Sequence, residues 1–379
     1  MPPDSARSPE LFVVAAEASA DLHAAAFVEA LRQRRPDVRV SGIGGARLAA
    51  LGMSLLEHNE RLAVMGFVEV LRHVPKHWRL LRRIDARLRD GSIDLVVLLD
   101  YPGFNMKVAR LAHAAGVPVL YYITPQVWAW GSKRLPELAR TVTRAACILP
   151  FEEALLRANG IDATFVGHPL LDRALALPSR AEARAQLGLP SDRACLAVFP
   201  GSRAQEIARH LPDAIAAAQL VRAARPDVSI VVAGAPTVTL RDDDVPFPIV
   251  RGASFPLLRA ADAALCKSGT TTLEAAVAEC PLVVVYRTHA ITYAMARRVV
   301  RIPRIGLVNV VADAEVAPEF VQDAFTPSAV AGALLPLLVE GSPERTSMLR
   351  GLARVRERLG TPGASDRVAA MADALLPDR

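Results

Sequence analysis

Short apolar runs recur along this chain, each followed by a turn and then by a longer amphipathic stretch. In the first half they fall at Leu11–Ala16, Val38–Ile43, Asp94–Leu99, Val117–Tyr122, Ala145–Leu149 and Thr164–Val166. In the second half they fall at Cys195–Phe199, Ser229–Ala233, Pro248–Arg251, Ala263–Leu265 and Leu282–Tyr286. Runs of this length read as buried strands, and the stretches between them carry the spacing of helices. Regular alternation of the two builds parallel sheets, because parallel neighbours need a crossover between them. From Asp172 to Arg193 no strand-like run occurs, and after Thr326 the pattern is helical to the end. The expected architecture is α/β, with two tandem Rossmann-like, doubly wound domains. Residues 1–172 form the first, 173–193 the linker, and 194–379 the second domain with its terminal helices.

In such sheets ligands sit beyond the carboxyl ends of strands, so polar groups in those turns are the candidates for chemistry. The segment Leu265–Glu274, LCKSGTTTLE, places Ser268, Gly269, Thr270 and Thr271 between a strand and a helix start, with Glu274 one turn further on. Backbone N–H groups and hydroxyls there can cradle an anion, and a carboxylate a turn later can accept from ribose hydroxyls; ordinary helix capping is the competing reading. Asp100 follows the third strand and precedes Tyr101-Pro102-Gly103-Phe104-Asn105, either as a carboxylate in a cleft or as a turn residue. Glu17, Ser19 and Asp21 follow the first strand. Arg203, in Gly201-Ser202-Arg203, fits a phosphate clamp, because guanidinium pairs bidentately with phosphate. The turn carrying Gln126, Trp128 and Trp130 reads as a binding wall or as core packing, and His168 as a hinge residue or part of a cleft.

Length and composition narrow the class. The chain has 379 residues and 52% hydrophobic content, enough for two full cores. Its net charge is +6, from 45 basic and 39 acidic residues, and aromatics are only 5%. That balance permits anionic lipid or phosphate ligands and gives no support to nucleic acid as a partner. The four cysteines are far apart without a CxxC pair, so neither a zinc site nor a disulfide framework is expected and thiols are expected to be reduced. No secretory signal and no apolar run of about 18 residues is present, so any membrane contact is expected to be peripheral. A helix starting near Pro75 is expected to put Leu71, Val74, Trp78, Leu81, Ile84 and Leu88 on one face and Arg72, Lys76, Arg79, Arg83 and Arg87 opposite. It is either a core-packed surface helix or an anchor to anionic lipid, the latter reinforced by apolar Leu62–Val70.

Taken in order, these motifs resemble the lipid-A-disaccharide synthase family of inverting GT-B glycosyltransferases, from about Leu11 to about Gln322. They are AAEASADLHAA, GIGGARLAALGM, LAVMGFVEVL, YYITPQVWAWGSKR, FVGHPLLD, FPGSRAQEI, KSGTTTLEAA and VVVYRTHAITYAMARRVV. The resemblance implies an interdomain cleft and transfer of 2,3-diacylglucosamine from its UDP derivative to 2,3-diacylglucosamine 1-phosphate (lipid X), with inversion and release of UDP. It implies Asp100 as general base and UDP or phosphate contacts from Arg203, Ser268, Gly269, Thr270, Thr271, Glu274, Asn309 and Gln322. Glu17, Ser19, Asp21, Asn105, Gln126, Trp128 and His168 would line the substrate cleft. No metal or other cofactor is expected. The expected location is cytoplasmic, peripheral on the inner face of the cytoplasmic membrane, and a homodimer stays open. Ala16 and Ala20 stand where the family usually has Gly, and Ala312-Asp313-Ala314 where it commonly has Ala-Gly-Arg. The alternatives are a nucleotide-sugar-binding relative without catalysis and another GT-B-fold UDP-sugar enzyme.

Overall fold

Every strand pairing in this computed structural model, which describes residues 7–63, 69–236, 238, 240–289, 293 and 303–377, is parallel. The strands are β1 Glu10–Ala15, β2 Arg39–Gly44, β3 Ser54–His58, β4 Leu95–Leu99, β5 Val119–Tyr122, β6 Arg144–Cys147 and β7 Ala163–Phe165. They are followed by β8 Cys195–Phe199, β9 Ser229–Gly234, β10 Ile249–Arg251, β11 Ala263–Lys267, β12 Leu282–Tyr286 and β13 Glu319–Val321. One seven-stranded sheet has the order β3-β2-β1-β4-β5-β6-β7, and a six-stranded sheet the order β10-β9-β8-β11-β12-β13. Both are doubly wound as expected, and the strand order reverses between β1 and β4 in the first sheet and between β8 and β11 in the second.

The central strands are buried on both faces, which is why they read as continuous apolar runs. Alternate residues serve opposite layers. Phe12, Val14, Val96 and Leu98 pack with Ile84, Leu88, Phe104 and Val108. Leu11, Val13, Leu95, Val97 and Leu99 pack with Phe27, Val28 and Leu31. The pattern reading missed β3 and β13. Both are edge strands with half-exposed side chains, so neither presents the apolar run of a central strand.

The chain divides into two compact units, Met1–Pro169 with Thr361–Arg379, and Leu170–Gly360. This differs from the expected boundaries at both ends of the second domain. The stretch 173–193 is no loose linker: its helix Arg180–Gln186 starts in a capping box between Ser179 and Glu182 and packs into the second unit. Arg184 is buried there, donating to Ala260 O at 2.9 Å and to Asp262 Oδ2 at 2.6 Å, and Asp262 also receives Arg180. The last helix, Ala364–Asp373, lies against helix Ala18–Arg34, and its Val368, Ala369 and Met371 complete the core on one face of the first sheet. Arg367 Nε donates to Val166 O at 2.8 Å and Arg35 Nη2 to Pro377 O at 3.1 Å, tying the terminus down.

The basic helix runs Glu69–Arg89 and so begins before Pro75. The side chains of Leu71, Arg72 and Val74 lie outside the described residues; of the rest of the expected apolar face Ile84 and Leu88 are buried and Leu81 packs against the core, whereas Trp78 is 61% exposed and Leu80 is buried in its stead. Arg87 is not part of a free basic face, because it pairs with Glu10, which also accepts from Ser41 Oγ at 2.7 Å. Residues 64–68 of the apolar approach and most of the motif beyond residue 289 lie outside the described residues. The four cysteines are buried and unpaired, and no described helix is long and apolar enough to cross a membrane.

Candidate functional site

At the switch point of the first sheet, Ala15 is paired with Leu99, so the turns after β1 and β4 emerge side by side. Asp100 and Tyr101 both adopt left-handed backbone, with φ of 48° and 43°. Two successive non-glycine residues in that region are strained and persist only where their surroundings fix them. The fixing is done through the carbonyl of Asp100. Asn105 Nδ2 donates to it at 2.7 Å and to Leu99 O at 3.0 Å, and the Tyr121 hydroxyl donates to it at 2.8 Å. Asn105 is fully buried, and its amide supports this turn. Burial pushes the Tyr121 phenol well up and the nearby Asp100 carboxylate pushes it further; Tyr101 is raised by burial and then by Glu17. The carboxylates of Glu17 and Asp100 thus serve one neighbourhood.

The remaining candidates of the first unit separate into surface and support. Ser19 is exposed in the first turn of helix Ala18–Arg34, and Glu17, at its N-cap position, makes no capping hydrogen bond. Asp21 is buried and accepts from the N–H groups of Gly45 at 2.6 Å and Arg47 at 3.1 Å, so it anchors the start of the neighbouring helix. Gln126 is exposed. Trp128 Nε1 donates to Glu152 Oε1 at 3.1 Å and its ring meets Phe151 edge-on at 5.1 Å; the side chain of Trp130 lies outside the described residues. Glu152 was not foreseen: burial pushes its carboxyl up to about 7, against hydrogen bonds from Leu149 N–H and Trp128 that pull it down. His168 is buried beside Pro169, where the first unit ends. Ala16 and Ala20 pack in the core without positive φ, so methyl groups are accommodated there.

The second sheet repeats the arrangement. Cys266 is paired with Phe199, which brings the turn Pro200–Arg203 beside Lys267–Thr270. Arg203 is at the N-cap position of helix Ala204–Ala224, its side chain 71% exposed. Ser268 Oγ donates to Ile305 O at 2.7 Å, and Thr272, a residue absent from the expected set, donates to Gly269 O at 2.8 Å and accepts from Val308 N. Thr270 is exposed and Thr271 half-buried where the helix Thr271–Val277 begins. Glu274 is buried and receives Arg173 Nη1 on Oε1 at 3.1 Å.

Two polar candidates turn out to be spent inside the protein. Asn309 is fully buried: its amide donates to Ala317 O at 2.7 Å and Glu319 Oε1 at 2.8 Å, and its carbonyl accepts from Val316 and Ala317 N–H. Gln322, with φ of 56°, exchanges hydrogen bonds with the Thr288 backbone at 2.7 and 3.1 Å, bracing the turn after β12. Neither needs a ligand to satisfy it. In Ala312-Asp313-Ala314, Asp313 takes the left-handed position usually given to Gly, and Arg304 pairs with it at 3.1 Å.

A sequence model of the family Lipid-A-disaccharide synthetase matches residues 11–366. The chain belongs to this family. It is 41% identical over 376 residues to a lipid-A-disaccharide synthase of Myxococcus xanthus (strain DK1622), covering 97% of this chain and 98% of that protein. With a lipid-A-disaccharide synthase of Syntrophus aciditrophicus (strain SB) the identity is 40% over 375 residues, covering 97% of each. Among solved structures, the glycotransferase of kitacinnamycin superposes with a TM-score of 0.67 at 15% identity, covering 97% of this chain and 99% of that one. A UDP-GlcNAc 2-epimerase from Neisseria meningitidis, bound to UDP-GlcNAc, gives 0.63 at 12%, covering 96% and 99%. The last two share the fold alone, which is the GT-B arrangement of two tandem Rossmann-like units.

Proposed function

We propose that this chain carries out the reaction of its family, with Asp100 as the base in the first unit and the turns after β8 and β11 holding UDP in the second. A diacylglucosamine unit passes from a UDP-sugar to lipid X, giving the lipid A disaccharide 1-phosphate and UDP. Inversion requires a single in-line attack, so a carboxylate takes the proton of the acceptor 6-hydroxyl as the hydroxyl oxygen attacks the anomeric carbon and UDP departs from the opposite face. The departing diphosphate gains charge. Arg203 and the backbone and hydroxyls of Ser268, Gly269, Thr270 and Thr271 stabilise it, and Glu274 accepts from the ribose.

The observation that carries these roles is the position of Asp100 and of the 200–203 and 267–270 turns at the two points where strand order reverses, where doubly wound sheets bind their ligands. Membrane attachment is supported by exposed Trp78 beside exposed Arg79, Arg82 and Arg83 on helix Glu69–Arg89, an apolar ring amid cations suited to an anionic headgroup layer. The protein then works as a cytoplasmic enzyme, peripheral on the inner face of the cytoplasmic membrane. The test is UDP release from UDP-2,3-diacylglucosamine with and without lipid X, followed by mass analysis of the lipid. Acceptor-dependent UDP and a disaccharide product are expected. UDP binding without turnover would overturn the catalytic reading in favour of a non-catalytic relative.

A further inference from the structure

Glu206 gathers the positive groups at the switch point of the second sheet. Its Oε1 lies 2.9 Å from Lys267 Nζ and 3.6 Å from Arg203 Nη1, and its Oε2 accepts from Ser202 N–H at 3.0 Å. Lys267 is the last residue of β11 and Ser202 lies just beyond β8, so the carboxylate sits across the two strand ends. Gly201, with φ of 132°, wraps it closely: a Cβ there would stand 2.7 Å from Glu206 Cβ. Burial would raise the carboxyl's pKa, but Lys267, the Ser202 N–H and Arg203 outweigh it and leave the group below its ordinary value. An ammonium, a guanidinium and a backbone N–H converging on two oxygens is also the donor set that a phosphate takes.

We propose that Lys267 is a further cationic contact for the donor diphosphate, with Glu206 as the internal anion that the diphosphate must compete against for Lys267 and Ser202. The inference rests on the reading of the second unit as the UDP site. Glu206 thereby sets affinity from two sides: it holds Lys267 in place, and its charge opposes an incoming phosphate. A site with this counter-ion binds UDP more weakly than the same site without it, so product leaves more readily. His210 fixes the backbone behind Glu206, through 2.6 Å between Nδ1 and Glu206 O and an acceptance at Nε2 from Arg287 N–H at 2.8 Å. The exchange therefore involves the Glu206 side chain and leaves its helix in place.

Calorimetric titration of the full chain with UDP and with uridine tests this. Lys267→Met is expected to weaken UDP by about 10- to 100-fold, the size of one lost charge-assisted hydrogen bond, and to leave uridine unchanged. Glu206→Gln, isosteric and neutral, is expected to tighten UDP several-fold, and that gain should vanish in the double variant. Should Lys267→Met fail to fold, Lys267→Gln and Glu206→Gln alone still decide. Unchanged UDP affinity in the lysine variants, equal weakening of UDP and uridine, or looser UDP binding by Glu206→Gln would overturn the proposal while the UDP site stands. Wild-type protein that does not bind UDP would overturn the donor reading and this inference with it.

Discussion

Arg173 donates through Nη1 to Glu274 Oε1 at 3.1 Å, and its guanidinium lies 5.1 Å from the centre of the Phe255 ring. Held over that ring, the guanidinium orients the carboxylate that the proposed function assigns to the ribose. Arg173→Ala should raise the donor KM about 10-fold with little change in kcat, because the lost order concerns binding more than the reacting bond. Arg173→Lys should fall between, keeping charge but losing the planar stack. Steady-state rates at varied donor concentration check this; a fall in kcat at unchanged KM would refute it.

Asp100→Asn should lower kcat by about 100- to 10,000-fold, the usual contribution of a general base, while UDP binding stays as in wild type. Asn105→Leu acts differently. It takes one donor from each of the carbonyls of Leu99 and Asp100, at about 1–3 kcal/mol, and leaves the left-handed turn held by the Tyr121 hydroxyl alone, so both thermal stability and kcat should fall. Retention of near-normal UDP release by folded Asp100→Asn protein would remove Asp100 as the base.

How far the sequence speaks is clear from Asp100 and Asn309. The apolar run Leu95–Leu99 marks a buried strand, and the position of Asp100 just after it follows from the pattern alone, as do the alternation and both sheets. Asn309 was equally legible as a polar residue among apolar ones, yet its partners at Ala317 and Glu319 come from the strand approach that the pattern missed. The partners of Asp21 were hidden for the same reason, since Gly45 reaches it only through the parallel register of β1 and β2. Lys267 was read within a strand-to-turn motif, but its Glu206 partner lies across a non-local pairing of β8 with β11. The terminal helix is amphipathic wherever it docks, so its periodicity could not say which unit it completes.

If Asn309 is a support and not a nucleotide contact, its removal should show in stability. Asn309→Ala deletes four hydrogen bonds at a fully buried site and leaves two N–H groups, the Ala317 carbonyl and the Glu319 carboxylate each one partner short, for a loss of about 3 kcal/mol or more. Chemical denaturation measures the loss. The folded fraction should bind UDP with wild-type affinity; a selective loss of UDP binding at unchanged stability would return Asn309 to the ligand site.

Glu152 makes the first unit sensitive to pH in an unusual direction. Its carboxyl is raised from 4.5 to about 7 by burial, so between those values the folded chain holds a proton that the unfolded chain has released. The stabilisation is complete below about 4.5, declines as pH rises, and is gone above about 7, on the order of 3 kcal/mol in all. Glu152→Gln stays neutral throughout. Relative to wild type it should therefore gain stability steadily from pH 4.5 to 7, whatever constant offset the lost second acceptor for Leu149 or Trp128 introduces. Denaturant midpoints of the two proteins across that range give the difference, and a flat difference would mean that Glu152 titrates normally.

The membrane reading depends on which arginines are available. Arg87 is engaged by Glu10 inside the fold, so reversing it would unfold a corner of the first unit and mimic a loss of lipid binding. Arg79, Arg82 and Arg83 are exposed beside Trp78, and each cation near an anionic surface contributes about 1 kcal/mol. Replacing these three by Glu should abolish sedimentation with phosphatidylglycerol-containing vesicles while leaving the melting temperature nearly unchanged, because none of the three lies in the core. Trp78→Ser should weaken binding to the same vesicles in a way that high salt does not reproduce, since the ring contributes by burial and the arginines by charge. Vesicle binding equal to wild type in both variants would make this helix a surface element and move the lipid contact elsewhere on the chain.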